Sequence, residues 1–238
     1  MDRAAAWMVH AYTTTGVVLG LLMVHLAYDG QVEAVLWLFL VAMLVDGTDG
    51  FLARRFRVKA VVPELDGALL DNIVDYLTYA FAPMVLLWAT GRLPDGAWGG
   101  VVAAVPLVAS CYQFCRSDAK TEDHFFLGFP SYWNIVAFHV FVLDLSVTAT
   151  VGLLLVLAVL VFVPVRYVYP SRTEALWGLN MTLATAWLGV YALLVVDLPD
   201  PSPLLVAASL AYVAYYTAVS GWLTLSGRRR EASLPSAA

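Results

Sequence analysis

Apolar residues run along this chain in blocks of about twenty, broken by short clusters of Gly, Pro, Asp and Arg. A helix that crosses a hydrocarbon layer needs about 20 apolar residues. Eight blocks meet or approach that length: residues 5–28, 32–53, 66–90, 97–116, 131–146, 148–168, 175–196 and 203–226. Polar residues do not recur at helical spacing on one face of most blocks. Each block therefore predicts a helix that is apolar all round, unlike the amphipathic helices of a water-soluble bundle. The pattern predicts an all-α fold, a polytopic integral membrane helix bundle of about eight transmembrane helices. The fifth block is short for a full span, and its boundary with the sixth rests on Ser146-Val147-Thr148.

The breaks between blocks carry the orientation. Asp29-Gly30-Gln31, Leu93-Pro94-Asp95-Gly96 and Leu198-Pro199-Asp200-Pro201 are short and rich in turn formers. If the N-terminus is cytoplasmic, the cytoplasmic breaks and ends collect Arg3, Arg54, Arg55, Arg57, Lys59, Arg116, Lys120, Arg166, Arg172 and Arg228 to Arg230. That is 12 of the 13 Lys and Arg residues, and only Arg92 falls outside. This asymmetry predicts that both termini are cytoplasmic.

Composition adds little to that picture but narrows it. The 238 residues are 61% hydrophobic and 13% charged, which suits a single transmembrane domain over residues 1–226 with a basic, disordered cytoplasmic tail at 227–238. The net charge of −5 gives no footprint for nucleic acid. Cys111 and Cys115 read as core packing rather than as a disulfide or metal pair. His25 and His139 read as core or interhelical residues and His124 as a loop residue. The first block lacks a small-residue cleavage site, so no cleavable signal peptide is expected.

Against this background "DGTDGFLARRFRVKAVVPELDGALLDNIVDY" (Asp46 to Tyr76) stands out, because it concentrates five Asp residues. Asp46, Asp49, Gly50 and Ala53 share one helical stripe, and Gly67, Asp71 and Asp75 share another. The basic stretch from Arg54 to Pro63 joins the two helices, which therefore run antiparallel. At 1.5 Å of rise per residue, Asp49 and Asp71 lie about 7 Å inward, and Asp46 and Asp75 about 12–13 Å. Four carboxylates at matched depth repel one another and are costly in an apolar medium. Divalent cations resolve both problems. Oxygen-only ligands suit Mg²⁺ or Mn²⁺, and two such ions can clamp the attacking and leaving oxygens of a phosphoryl transfer. Gly50, Ala53 and Gly67 leave room for a bulky ligand, and Arg54 offers a fork of donors to phosphate.

At these residues the chain resembles the CDP-alcohol phosphotransferase family. The family's signature is carried by Asp46, Asp49-Gly50, Ala53-Arg54, Gly67, Asp71 and Asp75. Here residues 55–66 make a spacer of twelve, where most members have eight. The longer spacer is the mark of the bacterial branch that makes phosphatidylcholine, which "HFFLGFPSYWN" (His124 to Asn134) also resembles. The resemblance implies transfer of the phosphatidyl group of CDP-diacylglycerol to choline, giving phosphatidylcholine and CMP, at the cytoplasmic face of a bacterial inner membrane. It implies that Asp46, Asp49, Asp71 and Asp75 hold two Mn²⁺ or Mg²⁺ ions, with Asp75 also the catalytic base for the choline hydroxyl. Asp49, Gly50, Ala53, Arg54 and Gly67 would surround the CDP moiety. The family's Pro-Asn-x-Leu-Thr has only Val9-His10-Ala11-Tyr12-Thr13 as its counterpart, so no nucleotide contact carries over to the first helix.

Choline is a quaternary ammonium and is best held by aromatic faces. Among 31 aromatic residues, position selects Tyr79, one turn beyond Asp75, and Tyr132 and Trp133 after the Gly128-Phe129-Pro130 turn, with Asn134 as a polar handle. The expected partners are CDP-diacylglycerol, choline and membrane lipids, without nucleic acid, and a homodimer is left open. Two other readings remain. One is a sister enzyme that takes serine, inositol phosphate or glycerol phosphate, served by Arg116, Lys120, Arg166 and Arg172. The other is a cation-coupled transporter, which would need a polar route outward; the apolar stretches Val32 to Val41 and Ala82 to Leu87 oppose it.

Overall fold

The computed structural model describes residues 3–121 and 123–233, with side chains as far as Gly227. Its order is α1 (Arg3–Tyr28), α2 (Val32–Arg55), α3 (Val58–Val61), α4 (Gly67–Asp75), a π-helical segment (Tyr76–Phe81), α5 (Ala82–Ala89), α6 (Ala97–Cys115), β1 (Phe125–Leu127), α7 (Trp133–Val142), α8 (Val147–Phe162), β2 (Arg166–Val168), α9 (Trp177–Val196) and α10 (Pro203–Ser233). Among the described residues six helices are long and apolar enough to cross a membrane: Arg3–Tyr28, Val32–Arg55, Gly67–Ala89, Ala97–Cys115, Trp177–Val196 and Pro203–Gly227. The fifth and sixth expected spans are the shorter helices α7 and α8. α8 stops at Phe162, six residues before the sequence expectation, because Pro164 lacks the N–H that a helix requires and disfavours helical backbone at Val163. The last helix continues to Ser233, past the expected start of a disordered tail, and 234–238 lie outside the described residues.

Core packing orders these helices around α2. Phe39 and Leu36 on α2, Leu86 and Leu87 on α5, Phe138 on α7 and Tyr191 on α9 are fully buried in one cluster. The Tyr191 hydroxyl donates to the Leu36 carbonyl at 2.8 Å, tying α9 to α2. α1 lies close against α4 and the π segment because Gly16 faces Val74 and Thr78 there; a Cβ at Gly16 would run into Val74. His139 is interhelical as expected, within 3.0 Å of Ser209 on α10. His25 is exposed beside Asp29 at the end of α1. Cys111 and Cys115 are also exposed, on the outer side of α6, so the core-packing expectation for them does not hold.

Two irregularities position the site. The third spanning helix is interrupted by the π segment directly after Asp75. Pro83 cannot donate to the Tyr79 carbonyl four residues earlier, so the α-helical ladder is already incomplete there. The second is a strap between α6 and α7. β1 pairs antiparallel with β2, Phe125 with Val168 and Leu127 with Arg166. Gly128 then turns with φ of 82°, packed so closely on the Val161 carbonyl that a Cβ would collide with it.

Candidate active site

The site begins where α2 and α4 face each other. Asp66 caps α4 by accepting from the Ala68 and Leu69 amides at 3.0 and 3.1 Å, which starts the helix at Gly67 and fixes the phase of Asp71 and Asp75. Asp46, Asp49 and Asp71 converge, with one carboxylate oxygen from each within 4.8 Å of the others. Thr13 on α1 donates to Asp49 Oδ2 at 2.7 Å, and Tyr79 donates to Asp46 Oδ2 at 2.8 Å. These hydroxyls occupy one oxygen of each carboxylate and orient the group. Asp75 stands outside the converged trio. It lines the same small cavity of about 10 Å³, together with the three other acids, Thr13 and Thr78.

The donor set fits a hard divalent cation. It consists of carboxylate oxygens without His or Cys, at mutual distances one ion can span, around a cavity about the size of a single water or ion. Such ions would neutralise phosphate charge and stabilise a departing phosphate oxygen.

A larger cavity of about 810 Å³ opens onto these acids. Asp49, Gly50, Ala53, Arg54 and Gly67, the five residues expected around CDP, all line it. Gly67 has a further reason for being small: a Cβ there would sit 3.1 Å from His10 Cε1. A Cβ at Gly50 would lie 3.4 Å from the Arg54 guanidinium. Arg54, Arg57, Lys59, Lys120 and Arg172 give this cavity a cationic wall. The sequence reading set Val9, His10 and Thr13 of α1 aside, placed Lys120 only among cations for an anionic acceptor and His124 only in a loop, and missed Tyr169; all of them line it. Thr13, Gly16 and Gly20 do share one helical face, and that small-residue stripe was the available signal. Nothing local marked Tyr169.

The four residues expected to hold an acceptor ammonium separate. Tyr79 is buried with its hydroxyl bound to Asp46. Tyr132 lies beside it, ring centroids 5.9 Å apart, and Phe126 of the strap meets Tyr132 edge-on at 6.1 Å. Tyr169 stacks on Phe126 at 4.5 Å. Trp133 and Asn134 depart from the expectation. Trp133 is fully buried, donates to Ser110 at 2.6 Å and packs on Phe129, so neither face is open to a ligand. Asn134 is buried as well, and its side-chain oxygen accepts from the Ile135 amide. Helical phase explains the split: α7 begins at Trp133 and turns both side chains into the bundle.

The strap is held by its own polar contacts. Arg116 grips Asp118 through two bonds of 2.6 Å, and Arg166 pairs with Asp123 at 3.1 Å. Thr173 donates to the His124 carbonyl at 2.6 Å, and Gln113 to the Leu127 carbonyl at 3.0 Å. Lys120 instead reaches down to Asp71 at 3.7 Å. Partial burial works against its ammonium, but the Asp71, Asp75 and Asp46 carboxylates outweigh this and hold its pKa above the ordinary lysine value.

Comparison with known proteins agrees with this geometry. The CDP-alcohol phosphatidyltransferase family model matches residues 8–219. The chain is similar to phosphatidylcholine synthase of Legionella pneumophila, 41% identical with 92% of this chain and 89% of that one covered. It is also similar to phosphatidylcholine synthase of Pseudomonas aeruginosa (38%, 93% of each) and of Borreliella burgdorferi (31%, 94% and 97%). With an acidic trio on two facing membrane helices and a match over most of its length, this chain belongs to the CDP-alcohol phosphatidyltransferase family.

Proposed function

We propose that this protein is a phosphatidylcholine synthase, transferring the phosphatidyl group of CDP-diacylglycerol to choline with release of CMP. The observation that carries the reading is the convergence of Asp46, Asp49 and Asp71 at the floor of a cationic cavity large enough for a nucleotide, in a chain whose relatives bear that name. Asp46, Asp49 and Asp71, with Asp75 adjoining, hold two Mn²⁺ or Mg²⁺ ions. Thr13 and Tyr79 keep two of these carboxylates oriented. Gly50, Ala53 and Gly67 admit the nucleotide, and Arg54 binds its diphosphate. In the transfer, the choline oxygen forms a bond to the phosphatidyl phosphorus, the bond from that phosphorus to the CMP oxygen breaks, and the hydroxyl proton passes to Asp75. The position of Asp75 beside the trio, rather than in it, supports its role as base. Tyr132, with Phe126 and Tyr169 around it, offers the aromatic surface for the trimethylammonium.

Residues 1–226 form one transmembrane domain, with both termini and the site on the cytoplasmic side of a bacterial inner membrane. The Lys and Arg asymmetry supports this. The ion pair of Arg92 with Asp144 at 2.7 Å joins the loops after α5 and α7, which fits both loops lying on one side of the membrane. α7 and α8 then complete eight crossings as a shorter pair.

The sister-enzyme reading draws on Lys120 and Arg172, cations that an anionic acceptor would require. We assign them to the donor's diphosphate. Incubating the purified protein with CDP-diacylglycerol, Mn²⁺ and labelled choline, serine, inositol phosphate or glycerol phosphate tests the assignment. Label is expected to enter lipid from choline, with release of CMP. Incorporation of one of the other alcohols in its place overturns it.

A further inference from the structure

The strap and the β2 strand paired with it carry three cations whose side chains face different ways. Arg116 is committed to Asp118 and Arg166 to Asp123. Lys120 alone of these three extends to the acidic trio, where it pairs with Asp71. Its backbone is bridged antiparallel to Phe126 of the strap, and the Leu127 amide donates to the Ala119 carbonyl at 2.9 Å. The ammonium is therefore delivered from a pinned backbone through a flexible four-carbon stem. The side chain is half-exposed at 48% and lines the large cavity. A divalent ion that takes Asp71 must compete with this ammonium, and the two cations repel each other at such range.

We propose that Lys120 is a positioning residue that exchanges partners. It holds Asp71 until a divalent ion claims that carboxylate, then turns its ammonium to the diphosphate of the nucleotide in the same cavity. The inference rests on the two-metal reading above and adds an order to it. The metal displaces Lys120 from Asp71, and the displaced charge strengthens nucleotide binding. Metal and nucleotide then bind with positive coupling that passes through one side chain. The bridge to Phe126 serves this role because it fixes where the stem starts while leaving the ammonium free to swing. Lysine suits it better than arginine, since a compact point charge can change partners without breaking a bidentate fork.

The test measures binding, separately from turnover. Mn²⁺ affinity of the full-length protein in detergent is followed by electron paramagnetic resonance, and CDP affinity is measured with and without Mn²⁺, for the wild type, Lys120→Met and Lys120→Arg. Lys120→Met is expected to bind Mn²⁺ about 2- to 5-fold more tightly, because a competing ion pair is gone. It should bind CDP about tenfold more weakly in the presence of Mn²⁺. Lys120→Arg should restore much of the CDP affinity. Tighter Mn²⁺ binding also certifies that the variant has kept its fold. If Lys120→Met leaves both affinities unchanged, or weakens both, the exchange is wrong and the pair only anchors the strap. If the wild type binds no Mn²⁺, the metal site itself fails, and this inference with it.

Discussion

The Tyr79 hydroxyl donates to Asp46 Oδ2 at 2.8 Å, joining the π segment of the third spanning helix to α2. An aromatic side chain one turn beyond Asp75 is thereby committed to orienting a carboxylate, and its ring lies 5.9 Å from that of Tyr132, tilted by 43°. Tyr79→Phe removes a donor to a charged group while preserving the ring. Transfer should slow by about 10- to 100-fold in kcat/KM, with the choline KM nearly unchanged. Steady-state kinetics with choline varied checks this, and a rise confined to the choline KM would return Tyr79 to the acceptor pocket.

Asp71 and Asp75 should separate by assay. Asp46→Asn and Asp71→Asn are expected to abolish Mn²⁺ binding and activity together, and excess chelator should do the same to the wild type. Asp75→Asn should retain Mn²⁺ and lower kcat by roughly the 10²–10⁴ of a positioned base. Mn²⁺ titration of the three variants decides it. Equal loss of metal from Asp75→Asn would make that residue a ligand first.

The acceptor surface is tested at Tyr132. Tyr132→Ala should raise the choline KM by about 3- to 30-fold, the worth of a cation–π contact, with a smaller effect on kcat. Trp133→Ala should act through stability, because Trp133 is fully buried against Phe129 and Ser110. A thermal unfolding curve measured beside the kinetics distinguishes the two.

Gly128 in the strap and Gly152 in α8 form a test and its control. Gly128 has φ of 82° and the Val161 carbonyl against it, while a Cβ at Gly152 meets nothing within 4 Å. Gly128→Ala should lower stability by about 1–3 kcal/mol and loosen the strap. Gly152→Ala should be neutral or mildly stabilising. Thermal unfolding in detergent reads both, and equal melting temperatures would show that the Gly128 turn bears no strain.

The orientation can be read by labelling. A cysteine at Lys59 should react with a membrane-impermeant reagent only from the cytoplasmic side, and one at Asp95 only from outside. The background is a variant without Cys111 and Cys115, since both are exposed. Reversed labelling would overturn the charge-asymmetry argument and turn the site to the other compartment.

Much of this protein was legible in the residues alone, because the relevant signals are local. Apolar blocks give helices whatever their neighbours are, and spacings of three and four put Asp46 with Asp49 and Asp71 with Asp75 on single faces. The basic stretch between them makes the two helices antiparallel, so convergence of the acids followed from sequence distance. The cap at Asp66 and the breaks at the short turns are equally local. What the tertiary structure decided lies in contacts between distant segments. The π segment depends on how Pro83 and its neighbours pack, and it places Tyr79 on Asp46. The Gly16 stripe admits α1 to the site and gives Thr13 to Asp49. The pairing of β1 with β2 gathers Phe126 and Tyr169 near Tyr132, and the bridge from Phe126 to Lys120 places that side chain on Asp71. The start of α7 turns Trp133 inward. Helical periodicity specifies which residues share a face. Which faces meet is set by packing among helices far apart in the chain, and no spacing within one helix records it.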